Sequence, residues 1–320
     1  MKNWIHRLLG AQDSAASEEQ APDASGEPSS EALQDLDAAY YRWLTRSAAI
    51  AAPGDTKALL LEQMRGLARN PGVAAELVPR VPELIPRLLR GLRSDEVSAA
   101  ELSRQVAEDV VLVAEVLREA NSAYYNPITP VKTLEAAIMM LGQNGMRILL
   151  ARIAFRPVIS MQAEGFARQV APHLWNQSEK CALAASLLAP GQSNGVFEAY
   201  LAGLMQNVGR IVAFRLTDRH CPDGKVPGSR EFGLQLLALS RQLSAVIARH
   251  WEFPDKVVEA IARAGEPDGT GLGQALARGD HLAKLRLLID AGVLGKDDAL
   301  VAGLDNFERR CLGKLETVGA

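Results

Sequence analysis

Two adjacent amides, Gln206 and Asn207, stand in the apolar stretch YLAGLMQNVGR at residues 200–210. A His-Asp pair in such a setting binds a divalent ion, and the ion lowers the pKa of a coordinated water until it can attack phosphorus. An amide oxygen can touch a hard cation but brings no charge to it. Moving a divalent ion out of water without carboxylates beside it costs at least several kcal/mol per buried charge, which two neutral amides do not return. The pair therefore predicts weak metal binding or none.

The remaining reactive side chains do not rebuild a site. His173, His250 and His281 make neither an H-x-x-x-H nor an H-x-x-E spacing, so no two of them share a helical face as ligands. They read as hydrogen-bonded or surface imidazoles. Cys181, Cys221 and Cys311 lie far apart with no C-x-x-C spacing, which suggests neither a disulfide framework nor a zinc knuckle and fits a reducing cytoplasm. GTGLG at 269–273 lacks both a preceding strand and the G-x-G-x-x-G spacing of a phosphate loop, and reads as a flexible link.

Whole-chain totals narrow the partners. Thirty-five basic residues against 38 acidic ones leave a net charge of -3 over 320 residues, no field that would seek nucleic acid. No apolar run reaches the roughly 18 to 20 residues that cross a bilayer, and MKNWIHRLLG lacks the long apolar region and cleavage site of a signal peptide. A cytoplasmic protein without a transmembrane segment is expected.

The elements that would position Gln206 and Asn207 are helices. Residues 1–30 are expected to be a disordered tether, because 11–30 hold no large hydrophobe to offset the entropy of ordering. Within it, Trp4, Ile5, Leu8 and Leu9 share a stripe that would suit a short surface-seeking or partner-docking amphipathic helix, but so short a segment reads first as a frayed terminus. Residues 31–75 form an N-terminal extension of two helices, EALQDLDAAYYRWLTRSAA and DTKALLLEQMRGLARN. Next, Leu84, Ile85, Leu88, Leu89 and Leu92 share a face. Ser98 and Glu101 have the spacing of a capping box for a helix striped by Leu102, Val106, Val110, Val113 and Leu117 and ending near Asn121. Further helices are expected over 133–141, stopped by Gly142, then 143–156 ahead of Pro157, 163–189, 197–216, 229–250 and 255–264, with one or two more before 320. No period-2 segment survives, so the fold class is all-α, a multi-helix bundle.

The stretches NSAYYNP at 121–127, LEAAIMMLG, LWNQSEKCALAA and EAYLAGLMQNVGR, taken in that order with VPRVPELIPRLL upstream, resemble the HDOD family. This is a bacterial signalling domain related to HD-type metal phosphohydrolases. The resemblance runs over about residues 77–265, which sets domains of 76–268 for the HDOD-like body and 269–320 for C-terminal helices. It implies that Gln206 and Asn207 occupy the positions of the catalytic relatives' His-Asp pair. Gln177 and Ser240 fall where further histidines would lie, with Ala264 and Gly265 near a last pair. The implied site is a degenerate metal pocket without catalytic residues, metal or other cofactor.

Two readings stand for each motif. Asn121, Ser122, Tyr124 and Tyr125 make either a structural corner or a partner contact. Gln206 and Asn207 either fill the old pocket with amide hydrogen bonds or line a residual pocket for a small polar ligand. Trp175 and Trp251 read as core anchors. The resemblance implies a non-catalytic regulator acting through other signalling proteins such as sensor kinases, response regulators or cyclic-dinucleotide enzymes. Partner specificity is expected in 31–75 and 276–320. The alternatives are a nucleotide or cyclic-dinucleotide sensor and a residual metal-dependent phosphohydrolase.

Overall fold

Apolar residues recur every three or four positions along the chain, and in the computed structural model every regular element among the described residues is helical. The structure describes residues 29–46, 54–78, 104, 106–107, 110–122, 127–160, 165–189, 195–221, 226–267 and 269–317. Apart from Ser29 and Ser30, which cap and begin the first helix, the expected N-terminal tether lies outside these residues, as do the decapeptide helix, the helix around 84–92 and the Ser98–Glu101 capping box.

The helices are α1 (Ser30–Thr45), α2 (Gly54–Ala68), α3 (Pro71–Glu76), α4 (Val110–Ala120), α5 (Leu134–Ser160), α6 (Gly165–Leu188) and α7 (Gly195–Met205). There follow α8 (Val208–His220), α9 (Arg230–His250), α10 (Asp255–Ala262), α11 (Gly271–Asp290), α12 (Ala299–Ala302) and α13 (Asn306–Lys314), ending in a 3-10 turn at Leu315–Thr317.

Helix α6 is the axis of the bundle, with α11, α7, α8 and α5 packed along it. Two glycines set the close approaches. A Cβ at Gly203 would lie 2.4 Å from Ala182 Cα, and one at Gly279 would lie 2.7 Å from Ala185 N, so α7 and α11 rest almost backbone to backbone on α6. Helix α9 receives α8 and α10 as well as the three N-terminal helices. Helix α1 docks through Tyr41, whose hydroxyl donates to Pro227 O at 2.7 Å and whose ring meets Phe232 edge-on.

One hydrophobic core joins these layers. Leu36 and Tyr41 of α1, Leu60 of α2, Leu150 of α5, Leu183 of α6, Leu236 of α9, Leu285 of α11 and Leu312 of α13 all belong to it. The helices before residue 76 and after 268 thus share the interior of the body between them.

Three helix boundaries differ from expectation, each for a local reason. The stretch 197–216 is two helices, because the Ser244 hydroxyl of α9 inserts at the join. It donates to Gln206 O at 2.6 Å and accepts from Gly209 N at 2.9 Å, while Arg210 N turns to Asn207 O. Pro157 does not end its helix: α5 bends at Gly142 as expected, at φ 67°, but runs on to Ser160. Burial of Val158 and Ile159 there offsets the roughly 3 kcal/mol that an interior proline costs. Finally, GTGLG is not a link. Thr270 caps α11, accepting from Gly273 N at 3.1 Å, and the helix continues straight into the core.

Candidate functional site

Gln206 ends the turn after α7, and Asn207 begins α8 as its N-cap residue with φ -97° and ψ -3°. The break made by Ser244 turns both side chains toward α6, where Gln177 is fully buried. Asn207 Nδ2 donates to Gln177 Oε1, and to Ser178 Oγ at 2.8 Å. Gln206 Nε2 faces Cys181 Sγ at 2.8 Å and Asp280 Oδ1 at 3.1 Å. Gln177 Nε2 donates to the same Asp280 oxygen. Three of the four degenerate positions therefore converge. The fourth, Ser240, does not join them, since its hydroxyl donates back to Leu236 O at 2.6 Å within α9.

The pocket is not refilled with uncharged groups alone, and this corrects the expectation drawn from the amides. Asp280 of α11 stands inside it, only 4% exposed. One turn later Lys284, 2% exposed, places Nζ 2.5 Å from Asp280 Oδ2 and 2.5 Å from Asp37 Oδ1 of α1. The same ammonium lies 5.6 Å from the centre of the Tyr40 ring. Arg210 of α8 reaches that ring from 5.4 Å and donates to the Tyr40 hydroxyl at 3.3 Å and Gln177 Oε1 at 3.4 Å.

The electrostatics of the cluster close on themselves. Burial alone would push the Asp280 carboxyl up, but Lys284, Arg210 and Arg241 outweigh it and hold the carboxyl below the ordinary range. Burial also opposes the Lys284 charge, and Asp280 with Asp37 outweigh it, so its pKa stands above that of a free lysine. Two carboxylates, Asp280 and Asp37, face three cations, Lys284, Arg210 and Arg241. Burial raises the Tyr40 phenol and the Cys181 thiol, the latter well above its usual value with Asp280 adding to the effect, so neither is an activated nucleophile.

A divalent ion does not fit these residues. Gln177 and Gln206 turn their donor nitrogens, not their oxygens, to Asp280, and an ammonium already holds both carboxylates. Asn207 Oδ1 and Arg210 Nε are buried without a hydrogen-bond partner, one acceptor and one donor, and so is Nε2 of His281, which follows Asp280. Among the described residues no group of three or more His, Cys, Asp or Glu side chains is placed to hold a metal.

Sequence reasoning missed Asp37, Tyr40, Asp280, Lys284 and Arg210. The available signal was the Asp280–Lys284 spacing of four, which puts a carboxylate and an ammonium on one face of α11.

Other candidates fall elsewhere. Asn121 fixes a corner: its Nδ2 donates to Leu117 O and Val131 O, and its Oδ1 accepts from Val131 N, each at 2.7 Å. The neighbouring Ser122 Oγ is buried without a partner. Tyr124 and Tyr125 lie outside the described residues. His173 meets Trp43 edge-on at 4.9 Å, and His250 is exposed. Trp175 is buried in the core and Trp251 packs partly buried against it. A second buried charge cluster, Arg152 between Glu119 and Glu179, ties α4, α5 and α6 together.

The HDOD domain family model matches residues 78–267. Over 194 residues the chain is 22% identical to an uncharacterized protein of Treponema pallidum (strain Nichols), covering 58% of this chain and 37% of that relative, so it spans well under half of the relative's length. Solved structures that share the fold include the following three. An HDOD domain protein of unknown function from Geobacter sulfurreducens aligns with TM-score 0.59 at 19% identity, over 80% of this chain and 94% of that one. A protein from Shewanella amazonensis SB2B, named as a candidate metal-dependent phosphohydrolase, aligns with TM-score 0.55 at 17% identity over 82% and 100%. A protein from Marinobacter aquaeolei VT8, named as a candidate signal transduction protein, aligns with TM-score 0.53 at 19% identity over 97% and 72%.

Proposed function

The chain belongs to the HDOD domain family, and from that premise we propose that it is a non-catalytic signalling protein that acts by binding other proteins. One observation carries this reading. The hollow where metal chemistry would be done is closed by Lys284, Asp280, Asp37 and Arg210 against three amides, with no anionic ligand left over for a cation.

The partners in this reading are signalling proteins such as sensor kinases, response regulators or cyclic-dinucleotide enzymes, met by the flanking helices. Exposed large hydrophobes lie on both parts of the chain: Leu33, Leu59, Val73, Val293 and Phe307 in the flanking segments, and Ile128 and Met139, the most exposed, on the matched body. No helix among the described residues is long and apolar enough to cross a membrane. Because Tyr40 and Tyr41 are buried in the common core and the partly exposed Asp37 pairs with buried Lys284, deleting residues 1–75 would unseat the fold itself. Point changes are the cleaner test. Affinity capture from the native host with the intact chain, compared with Leu59→Glu and Val73→Glu, should lose partners without a change in melting temperature. Retention of every partner by both variants refutes the flank assignment.

The unpartnered Asn207 Oδ1 and Arg210 Nε favour a second reading, a small polar ligand such as a nucleotide seated beside them. A thermal-shift panel of nucleotides and cyclic dinucleotides separates the two, since a ligand selective for the folded state raises apparent stability with occupancy.

A further inference from the structure

The geometry points to Lys284 as a built-in cation that takes the place of a divalent metal: its ammonium holds Asp37 and Asp280 together and thereby locks both flanking helices onto the body. This deepens the non-catalytic reading of the pocket and rests on it. The argument begins with connectivity. Asp37 lies on α1 and Asp280 on α11, and both elements fall outside the matched residues 78–267. Lys284 Nζ is within 2.5 Å of a carboxylate oxygen on each, and the other Asp280 oxygen accepts from Gln177 and Gln206 of the body. A chain of contacts thus runs from the N-terminal helix through one ammonium to the C-terminal helix and into the degenerate positions.

Two features favour an ammonium in this role over an exchangeable ion. The charge is covalently tethered on the same helix as one of its carboxylates, so seating it requires no capture from solvent. The Tyr40 ring beside it offers a face that attracts a cation without needing a further anion. Arg210 lies over the same ring, and Arg241 adds a further positive charge acting on Asp280. The fold therefore keeps a cation-centred junction while having no use for a metal.

The test substitutes the cation. Lys284→Ala leaves two carboxylates facing an opened space, whereas Lys284→Met fills that space without charge. Thermal melts of wild type and both variants are taken with and without Mn2+, and bound Mn2+ is measured by electron paramagnetic resonance. The expected result is a wild type whose melting temperature ignores Mn2+. Lys284→Ala should melt lower and recover with stoichiometric Mn2+, and Lys284→Met should melt lower without recovery. A Lys284→Ala protein as stable as wild type, or one that Mn2+ does not rescue, overturns the inference while leaving the non-catalytic reading intact. Stoichiometric Mn2+ held by the wild type overturns that reading instead. Should Lys284→Ala not fold, Asp37→Asn keeps the Asp280 pair and tests the lock. Hydrogen exchange in α1 should become about tenfold faster, the size expected for losing one charge-assisted hydrogen bond. Unchanged exchange overturns the inference.

Discussion

Replacing Asp280 by Asn keeps the shape of the side chain and removes only its charge. The Asn oxygen can still accept from Gln177 and Gln206, which forces its NH2 group against the Lys284 ammonium, donor against donor. Lys284 is then left 2% exposed with Asp37 alone, and Arg210 and Arg241 lose their shared counter-charge. Breaking a buried pair by removing one partner costs about 3–5 kcal/mol. For a protein of this size each kcal/mol moves the melting temperature by about 2–3 °C, so a fall of about 6–15 °C is expected. Urea unfolding monitored by circular dichroism gives the free energy, and scanning calorimetry the midpoint. The double variant Asp280→Asn with Lys284→Met removes both charges and should recover much of the loss, because an apolar group of similar length replaces an unpaired ion. The stabilisation from Asp280 is present above the ordinary carboxylate range and is lost as pH falls through its lowered folded pKa, so the single variant should also lack that acid limb. A loss of less than about 0.5 kcal/mol, the range of an ordinary surface substitution, would refute the account of the cluster. So would a double variant less stable than the single one.

Three further outcomes follow from the same geometry. A Cβ at Gly209 would lie 2.1 Å from Ser240 O and 2.7 Å from Ser244 N, so Gly209→Ala should push α8 from α9 and lose at least about 1–3 kcal/mol in urea unfolding. Asn121→Ala removes three hydrogen bonds at one corner and should lose about 2–3 kcal/mol, whereas Ser122→Ala, deleting a buried hydroxyl without a partner, should be neutral or stabilising. The His281 imidazole, facing Lys284, Asp280 and Asp37, is pushed down to about 4 by burial and by Lys284. As pH falls from about 6.5 to 4 the unfolded chain gains a proton that the folded one refuses, so stability should drop by up to about 3 kcal/mol across that window. His281→Gln should flatten the slope, and an equal slope in both proteins counts against this assignment.

The helical fold was legible because its signals are local. Leu36, Tyr40, Tyr41 and Leu44 mark the inner face of α1 by spacing alone, and Gly142 marks the bend of α5. Gln177, Gln206 and Asn207 were legible as one site because each stands at a position that the family resemblance singles out. The charges that complete the site carry no such mark. Lys284 and Asp37 are 247 residues apart, and no local pattern pairs them. The Asp280–Lys284 spacing is visible, yet it reads equally well as a surface ion pair until that face of the helix is known to be enclosed. The join between α7 and α8 escaped for a similar reason: it is made by a hydroxyl from another helix, while the propensities of 197–216 favour a continuous run. Ser240 misled because a short hydroxyl can satisfy itself on its own backbone.

The most direct test of the central claim is the metal content of the purified 320-residue chain, measured together with phosphoester turnover in the presence of Mn2+, Mg2+ and Fe2+. A pocket already balanced by Lys284 and Arg210 predicts substoichiometric metal and no metal-dependent hydrolysis. One or more ions per chain, retained through purification and accompanied by metal-dependent turnover, would contradict it.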